Sequence, residues 1–357
     1  MTPDNAANRR EADALAAGIA EEIRADLYVS RREYLHGKRN VSFKNARICT
    51  PEEAVSIVGL YLRQQGVFIY FRGTDGKFEF RCNEGLYFLT GALELIPAVW
   101  RWSSGCAQFA TSVGDTSLAA LSSSLLQRVQ RALQARDDLC ASLNLNQTSD
   151  TAEAALSSLD SALVFLMGAV DVSARVAHHV LGVPGSPHRA GWQYVDPSDP
   201  RKWVERVRAS APRLAALVDS GTEGYHTLTV LRRLRNSVHG EAMKSLVRKD
   251  GRKAPQTLTG LPQQDLQEIL DSMDVLGGRD SWGIDSTQPG FIHADPGILL
   301  EKILENILRL LDGIMLETPV ERLPGVHLTA ALCAPPADPH GRFSEMKRLG
   351  IRWQLGL

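Results

Sequence analysis

The chain has 357 residues, 44% of them hydrophobic, which is enough for one large or two medium domains with an apolar core. Its formal net charge of −1 excludes a general nucleic-acid coating protein, so any RNA contact must come from local basic clusters. The five cysteines are widely spaced and form no CxxC pair, which indicates neither a zinc site nor a disulfide framework and favours a reducing cytoplasm.

The N-terminal region shows the pattern of neither a secretion signal nor a membrane span. Residues 1–10 are polar, and no run in the chain approaches about 18 apolar residues, so we expect a cytoplasmic protein with no membrane role. Residues 10–36 predict a charged amphipathic helix that packs on the body of the protein or on a partner. Its apolar positions recur at steps of three or four: Ala12, Leu15, Ile19, Ile23 and Leu27.

The segment from residue 50 to residue 82 predicts a helix followed by a hairpin. Thr50-Pro51-Glu52-Glu53 combines a capping hydroxyl, a first-turn proline and acidic residues near the positive end of a helix, which should run to about Gln65. Alternating residues on both sides of Gly73-Thr74-Asp75-Gly76 predict a small β-hairpin over 67–82.

Two further helices are predicted before residue 144. The first runs from Tyr87 to Trp102 despite Pro97, and its Trp100 and Trp102 could either stack on bases or pack in the core. The second covers 118–143, with three arginines on its outer face: Arg128, Arg131 and Arg136.

A polar break at residues 144–150 indicates a domain boundary or a long turn, and a long helix is predicted over 151–181. That helix is long enough to be the spine of a bundle. Asp171 and Arg175 lie one turn apart within it. They form either a semi-buried ion pair that orients an arginine of another helix or an ordinary surface pair.

Residues 182–200 predict a Pro/Gly-rich loop and 200–218 a helix, and a basic segment ending in histidine follows. This segment is Leu231-Arg232-Arg233-Leu234-Arg235-Asn236-Ser237-Val238-His239-Gly240. At about 100° per residue, Arg232 and Arg235 lie within roughly 40° of His239, whereas Arg233 points away. The apolar stripe that would hold the helix on a core consists of Leu228, Leu231, Leu234 and Val238.

Those residue types suit phosphodiester chemistry. Guanidinium groups bind phosphate through paired hydrogen bonds, and a histidine near neutral pH can transfer a proton. The alternative is an amphipathic helix with solvated arginines and a histidine at its end. The basic run 244–253 is either a polyanion-binding face or a solvated loop.

The remaining chain predicts helices over 262–276 and 296–316, separated by a loop at 277–297. Residues 318–341 are Pro-rich and irregular, and 348–357 could serve as a docking tail. The sequence contains no P-loop, no dinucleotide glycine fingerprint and no Gly-x-Ser-x-Gly elbow, which removes the usual motif-based enzyme classes.

The segment from Arg235 to His239 resembles the Arg-to-His signature of the HEPN superfamily, all-helical domains many of which are metal-independent ribonucleases. In that family four to six residues usually separate the arginine from the histidine, and an Asn often follows the arginine. Arg235 has the Asn but only three intervening residues, while Arg233 has five and Arg232 has six. The identity of the active arginine therefore stays open.

This resemblance covers residues 151–316 and implies a helical bundle there. Together with the other predicted elements it gives a mainly α fold, a helical bundle with a small β-hairpin in the N-terminal half of the chain. Residues 1–150 then form an unassigned N-terminal helical region, and 317–357 a Pro-rich C-terminal tail. The resemblance implies no cofactor and no metal. The implied catalytic residues are His239, Arg235, Arg232, Arg233 and Asn236, with Asp171 and Arg175 in support.

The activity implied by the resemblance is that of an endoribonuclease of the toxin or antiviral-defence kind. Its partners would be RNA, a second copy in a homodimer, and an antitoxin or defence protein, and helix 296–316 and the N-terminal helix are candidate dimer elements. Whether the chain is an enzyme stays open. One alternative is a non-catalytic HEPN-like module that binds RNA, a nucleotide or a partner protein, which the short Arg235-to-His239 spacing favours. The other is a helical scaffold with no nucleic-acid role, which the near-neutral net charge favours.

Overall fold

A computed structural model of the chain describes residues 3–36, 46–72, 79–192, 203–238, 240, 242–249, 255–285, 292–338 and 341–357. Within these ranges the protein is mainly helical, as predicted, and a small antiparallel hairpin is present in the N-terminal half. Short 3-10 turns connect some of the helices, at Pro187–Arg189, Arg279–Trp282, Val320–Arg322 and Ala330–Leu332.

The N-terminal region forms a small α/β unit. Its elements are α1 (Pro3–Glu22), β1 (Leu27–Val29), α2 (Glu33–His36) and β2 (Arg47–Cys49), and β1 pairs with β2 in parallel. The predicted single helix over 10–36 is therefore wrong beyond Glu22. Arg24 adopts a left-handed backbone conformation that ends the helical path, and the next residues pair as a strand, which suits Tyr28 and Val29.

The predicted capped helix and hairpin are both confirmed. Helix α3 (Pro51–Gln64) begins with a capping box in which Thr50 accepts a hydrogen bond from the backbone of Glu53 and the Glu53 side chain accepts one from the backbone of Thr50. Strands β3 (Ile69–Arg72) and β4 (Glu79–Arg81) then pair in antiparallel fashion. The predicted turn at 73–76 lies outside the described residues.

Helices α4 (Glu84–Leu95) and α5 (Val99–Val113) replace the predicted continuous helix from Tyr87 to Trp102. Pro97 has no N–H to donate and separates them, and the backbone N–H of Ala98 donates instead to the Asp312 carboxylate at 2.7 Å. Trp102 is fully buried, so it is a core residue, and Trp100 packs edge-on against Phe343.

Two long antiparallel helices form the centre of the fold. Helix α6 (Ser117–Asn144) and helix α7 (Ser149–Val180) pack along their lengths and are joined by residues 145–148, so the polar break is a short turn between them. By length and composition alone α7 could cross a membrane. Because 56% of its most apolar window is buried against the rest of the protein, it has the character of a core helix.

The chain after α7 adds short helices and a sheet. Helices α8 (Trp203–Ser210) and α9 (Pro212–Ala216) replace the predicted helix over 200–218, because Pro212 starts a new helix. The other helices are α10 (Glu223–Ser237), α11 (Leu266–Val275), α12 (Pro296–Glu317) and α13 (Glu345–Leu355). Helices α11 and α12 confirm the predicted helices at 262–276 and 296–316.

A four-stranded antiparallel sheet was not predicted from the sequence. Its strands, in the order β5-β6-β8-β7, are β5 (Lys244–Arg248), β6 (Gln256–Gly260), β7 (Ile284–Asp285) and β8 (His293–Ala294). Strand β5 takes up the first part of the basic run, where Arg248 bonds to the Asp285 carboxylate. Residues 250–253 of that run lie outside the described residues.

One apolar core extends from α4 to α13, with Trp102, Trp192 and Trp282 as its largest fully buried side chains. Helix α13 lies within the segment predicted as a tail and packs on α3 and α4. A second, smaller cluster of Ala17, Leu35 and Ile48 holds the N-terminal unit together. The predicted division of the chain at residues 150 and 316 stays a prediction.

Candidate functional site

The basic segment lies in helix α10, which begins and packs as its sequence indicates. The Thr222 side chain caps the helix by accepting a hydrogen bond from the Tyr225 backbone N–H at 3.2 Å. Three of the four residues of the predicted apolar stripe are buried, namely Leu228, Leu231 and Leu234, whereas Val238 follows the last helical residue and is partly exposed. The helix ends at Ser237. His239, the candidate proton-transfer residue, lies outside the described residues.

Two of the three candidate arginines bind carboxylates on helix α11. Arg233 forms salt bridges to Glu268 at 2.5 Å and to Asp265 at 3.2 Å, and Arg232 reaches Glu268 at 3.4 Å. Their long side chains therefore converge on one acidic patch, although the two positions differ by about 100° around the helix. Both guanidinium groups are neutralised within the fold and tie α10 to α11.

Arg235 has a different environment. Among the described residues it forms no salt bridge, and its single side-chain hydrogen bond is a long one from Nη1 to the Asn236 amide oxygen at 3.5 Å. Its Nε is buried and has no hydrogen-bond partner, although the residue as a whole is partly exposed. Asn236 itself is exposed. Arg235 is thus the motif arginine whose charge stays uncompensated by a bonded carboxylate in the described part of the chain.

The two supporting residues on α7 lie near Arg235. Burial raises the pKa of the Asp171 carboxyl above its ordinary value, and the charges of Arg175, Arg235 and Arg128 oppose that rise. Asp171 forms neither a hydrogen bond nor a salt bridge with any described residue. Asp171 and Arg175 therefore interact electrostatically but do not form the predicted bonded ion pair. The fold does bring both residues toward an arginine of the basic segment.

The fourth member of this group, Arg128 of α6, was not predicted as a site residue. Arg128 was predicted on the outside of its helix, but it is half-buried, and its guanidinium lies directly over Gly168 of α7. A Cβ at Gly168 would collide with Arg128 Nη1. Glycine inside a helix costs about 1 kcal/mol relative to alanine, so this glycine was a signal of close packing that the sequence contained.

The other two arginines predicted outside α6 differ from each other. Arg131 is exposed, as predicted, and its guanidinium carbon lies 5.7 Å from the centre of the Phe165 ring. Arg136 is buried, which contradicts the prediction, because Glu301 of α12 accepts its hydrogen bonds at 2.5 Å. A carboxylate from a distant helix makes that burial tolerable.

We call Arg128, Arg175, Arg235 and Asp171 the arginine cluster. It joins three guanidinium groups from three helices to one carboxylate, so it carries a net charge of +2 when Asp171 is ionised. None of its arginines forms a salt bridge with a described residue. Guanidinium groups that are partly removed from water without an anion are unfavourable, and an anionic ligand would relieve that cost.

Metal-ligand groups and clefts are the other features of the described chain that could mark a functional site. No group of three or more His, Cys, Asp or Glu side chains is placed there to hold a metal ion. A cleft of about 530 Å³ lies between the start of α3 and the end of α13, and a smaller one of about 270 Å³ lies between α10 and α12. Neither cleft is lined by the arginine cluster.

Comparison with family models, with curated proteins and with solved structures finds no match to this chain. Its function must therefore be inferred from its own residues.

Proposed function

We propose that this protein is a metal-independent endoribonuclease in which Arg235 binds the scissile phosphate and His239 transfers a proton. One observation carries the proposal: Arg235 is the motif arginine that has no carboxylate bonded to it among the described residues, and two further arginines in the same condition share with it the surroundings of Asp171. The resemblance of the segment to the HEPN Arg-to-His signature supplies the reaction type.

The reaction needs no bound cofactor for its atoms to balance. The ribose 2′-oxygen attacks the adjacent phosphorus, its proton leaves to a base, and the bond from phosphorus to the 5′-oxygen breaks as that oxygen gains a proton. His239 would act in one of these proton transfers, and Arg235 would stabilise the charge on the phosphoryl oxygens. The products are a 2′,3′-cyclic phosphate and a 5′-hydroxyl.

The other candidate residues receive distinct roles in this proposal. Arg232 and Arg233 hold α10 on α11 through Glu268 and leave phosphate binding to Arg235. Asn236 is exposed beside Arg235 and would orient the phosphate or the histidine.

A toxin or defence role, with an antitoxin or defence protein as a partner, belongs to the same proposal, as does a homodimer. Of the two candidate dimer elements, α12 buries most of its apolar residues within the chain. Helix α1 buries Ala17 and Ala20 but leaves its two large apolar residues Leu15 and Ile19 exposed, and Ile23 directly after the helix is exposed as well. We therefore favour α1 as the dimer element.

The test is cleavage of a mixed RNA pool in the presence of EDTA. Wild-type protein should release fragments with 2′,3′-cyclic phosphate ends, while His239→Ala should be inactive and Arg235→Gln should lose about a hundredfold or more in rate. Arg131→Gln, which removes an exposed arginine outside the site, is the matched control and should cleave like wild type. Wild-type cleavage no greater than that of His239→Ala would end the catalytic proposal.

A second candidate function is RNA binding without cleavage. The neutralisation of Arg232 and Arg233 favours it, because these are the arginines whose spacing from His239 fits the family pattern, and Arg235 has only three intervening residues. This candidate predicts that wild type and His239→Ala bind RNA equally and that neither cleaves it.

A further inference from the structure

We propose that Arg128 of α6, together with Arg175 of α7, forms a phosphate subsite beside Arg235, so that the arginine cluster holds two consecutive phosphates of one RNA strand. The subsite deepens the proposed function and rests on it for the identity of the ligand. Arg128 lies outside the Arg-to-His segment and outside the region that resembles HEPN domains. It is placed at the site by the packing of α6 against α7.

The position of Arg128 depends on a specific contact between the two central helices. Its guanidinium occupies the space that a side chain at Gly168 would take, on the stretch of α7 that leads to Asp171 one turn later. Helix α10 packs on the same helix α7 and brings Arg235 to that stretch. Three helices therefore deliver one guanidinium each to a single region of the α7 surface.

The bonding of these side chains is incomplete in a way that suits a ligand. The Nε atoms of Arg128 and Arg235 are buried and have no hydrogen-bond partner among the described residues, and the same is true of Arg232 and Arg233. What distinguishes Arg128 and Arg235 is that no described carboxylate bonds to their terminal nitrogens, whereas Glu268 bonds to those of Arg232 and Arg233. Both residues remain partly exposed, so each keeps some surface in contact with solvent. A phosphate oxygen accepts hydrogen bonds from such a planar fork more strongly than water does.

The charges match two phosphodiester groups. Three guanidinium groups and the Asp171 carboxylate sum to +2, and each phosphodiester carries one negative charge. One arginine alone would hold one phosphate through a bidentate contact. The additional arginines give the strand a second point of attachment and thus a defined path across α7 toward Arg235.

The experiment measures binding apart from cleavage. A fluorescent single-stranded 2′-O-methyl RNA cannot be cut by 2′-hydroxyl attack, so its anisotropy reports the affinity of the full-length protein at several salt concentrations. Arg128→Gln should weaken binding about tenfold and reduce the salt slope by about 0.7, the value expected for one lost contact to a single strand. Arg131→Gln removes the same charge one turn further along α6, and we expect less than about a twofold change.

Gly168→Ala provides a second test that keeps every charge. The added methyl group displaces the Arg128 guanidinium, so binding should weaken toward the level of Arg128→Gln, while a thermal melt confirms that the variant folds. Equal weakening by Arg128→Gln and Arg131→Gln would show that only general charge matters and would overturn the subsite. Unchanged binding in Arg128→Gln would also overturn it.

Failure of the subsite and failure of the proposed function give different results. A protein that cleaves natural RNA in EDTA but binds the 2′-O-methyl strand equally well with and without Arg128 retains the function and loses the subsite. A protein that binds that strand through Arg128 but cleaves nothing retains the subsite and loses the endonuclease.

Discussion

Helix α6 contributes arginines to two clusters that are bonded in opposite ways. Toward its C-terminal end, Arg136 and the neighbouring Asp137 belong to a buried network in which Asp137 binds Arg63 of α3 and Arg136 binds Glu301 of α12. Nearer the middle of the helix, Arg128 belongs to the arginine cluster, where no described guanidinium has a bonded carboxylate. The same residue type in the same helix is thus fully paired at one place and unpaired at the other.

The difference separates a structural role from a binding role. The buried network contains two arginines and two carboxylates, and the Tyr87 hydroxyl and the Gln354 backbone complete the bonds of Arg63. It is electrically neutral and connects α3, α6, α12 and α13, and its Arg63, Arg136 and Asp137 side chains are buried while Glu301 is partly exposed. The arginine cluster is positively charged and partly exposed to solvent, so its guanidinium groups can still bond to an anionic ligand.

The largest expected effect concerns the buried network. Asp137→Asn should destabilise the protein by about 3–5 kcal/mol, because it leaves Arg63 buried without its counter-charge. Urea unfolding followed by circular dichroism measures the change, with Asp138→Asn, an exposed neighbour on the same helix, as the control. If the two variants were equally stable, the network would have no structural role.

The arginine cluster should show the reverse behaviour. Arg175→Gln removes one of three mutually repelling charges and breaks no salt bridge among the described residues, so the free energy of unfolding should change by less than about 0.5 kcal/mol. Its affinity for 2′-O-methyl RNA should nevertheless fall about tenfold. A loss of several kcal/mol of stability with unchanged affinity would place Arg175 with the structural arginines.

A smaller effect is expected at the carboxylate of the arginine cluster. Because burial raises the pKa of Asp171, its ionised form costs stability above that raised pKa, and the cost disappears as the pH falls and the group is protonated. Asp171→Asn should therefore stabilise the protein slightly at neutral pH. It should also strengthen RNA binding by about fivefold, since a negative charge beside the phosphates is removed.

Urea unfolding and RNA-binding measurements at pH 7 check both effects of Asp171→Asn. The control is Asp160→Asn, a change at a second half-buried carboxylate of α7 whose pKa is also raised by burial, which should leave RNA affinity unchanged. Weaker binding by Asp171→Asn would mean that the carboxylate positions the arginines.

The smallest expected effect is a pH dependence that belongs to neither cluster. His178 is buried, accepts a hydrogen bond from Trp203 Nε1 at 3.1 Å, and lies 3.2 Å from the Gly185 carbonyl, which its other ring nitrogen can reach as a donor. Burial lowers the pKa of His178, so protonation of this ring is less favourable in the folded protein than in the unfolded chain. Stability should be complete above about pH 6.5 and fall below it, by up to about 1 kcal/mol at pH 5.5.

Thermal melts of His178→Gln at pH 7.5 and 5.5 check this dependence. The variant should lose that part of the acid sensitivity, whereas His188→Gln, a change at an exposed histidine, should retain it. Equal acid sensitivity in wild type and His178→Gln would show that another group titrates. The melts also show the pH range in which stability does not depend on His178. Within that range the arginine cluster and the buried network can be compared directly.

Local signals predicted most of the helices. The capping box at Thr50, the three-and-four spacing of Leu228, Leu231 and Leu234, and the two long apolar helices all depend on contacts within one or two turns. Two of the predicted helices were wrong because a proline divides each of them. Pro97 and Pro212 each separate two helices, and both prolines were visible in the sequence.

The short strands β5 to β8 could not be found in the same way. They are two to five residues long, so each is stabilised by its neighbours more than by its own composition. Strands β5 and β6 pair with each other, as do β7 and β8, whereas the pairing of β6 with β8 joins segments that lie far apart in the chain. The alternation that identified the hairpin at 67–82 is too short to detect in them.

For the candidate site, the sequence by itself determined which residue types are available and predicted one helix from Leu228 to His239 with an apolar stripe, whereas the helix in the structure ends at Ser237. Tertiary structure decided which arginines keep an uncompensated charge. Glu268 and Asp265, at helix α11 and its start, bond to Arg232 and Arg233 of α10. Arg128 of α6 instead packs over Gly168 of α7. Helical periodicity is set by the backbone within a few residues, but the neutralisation of a charge depends on whichever carboxylate the fold brings within about 4 Å, and sequence spacing does not encode that distance.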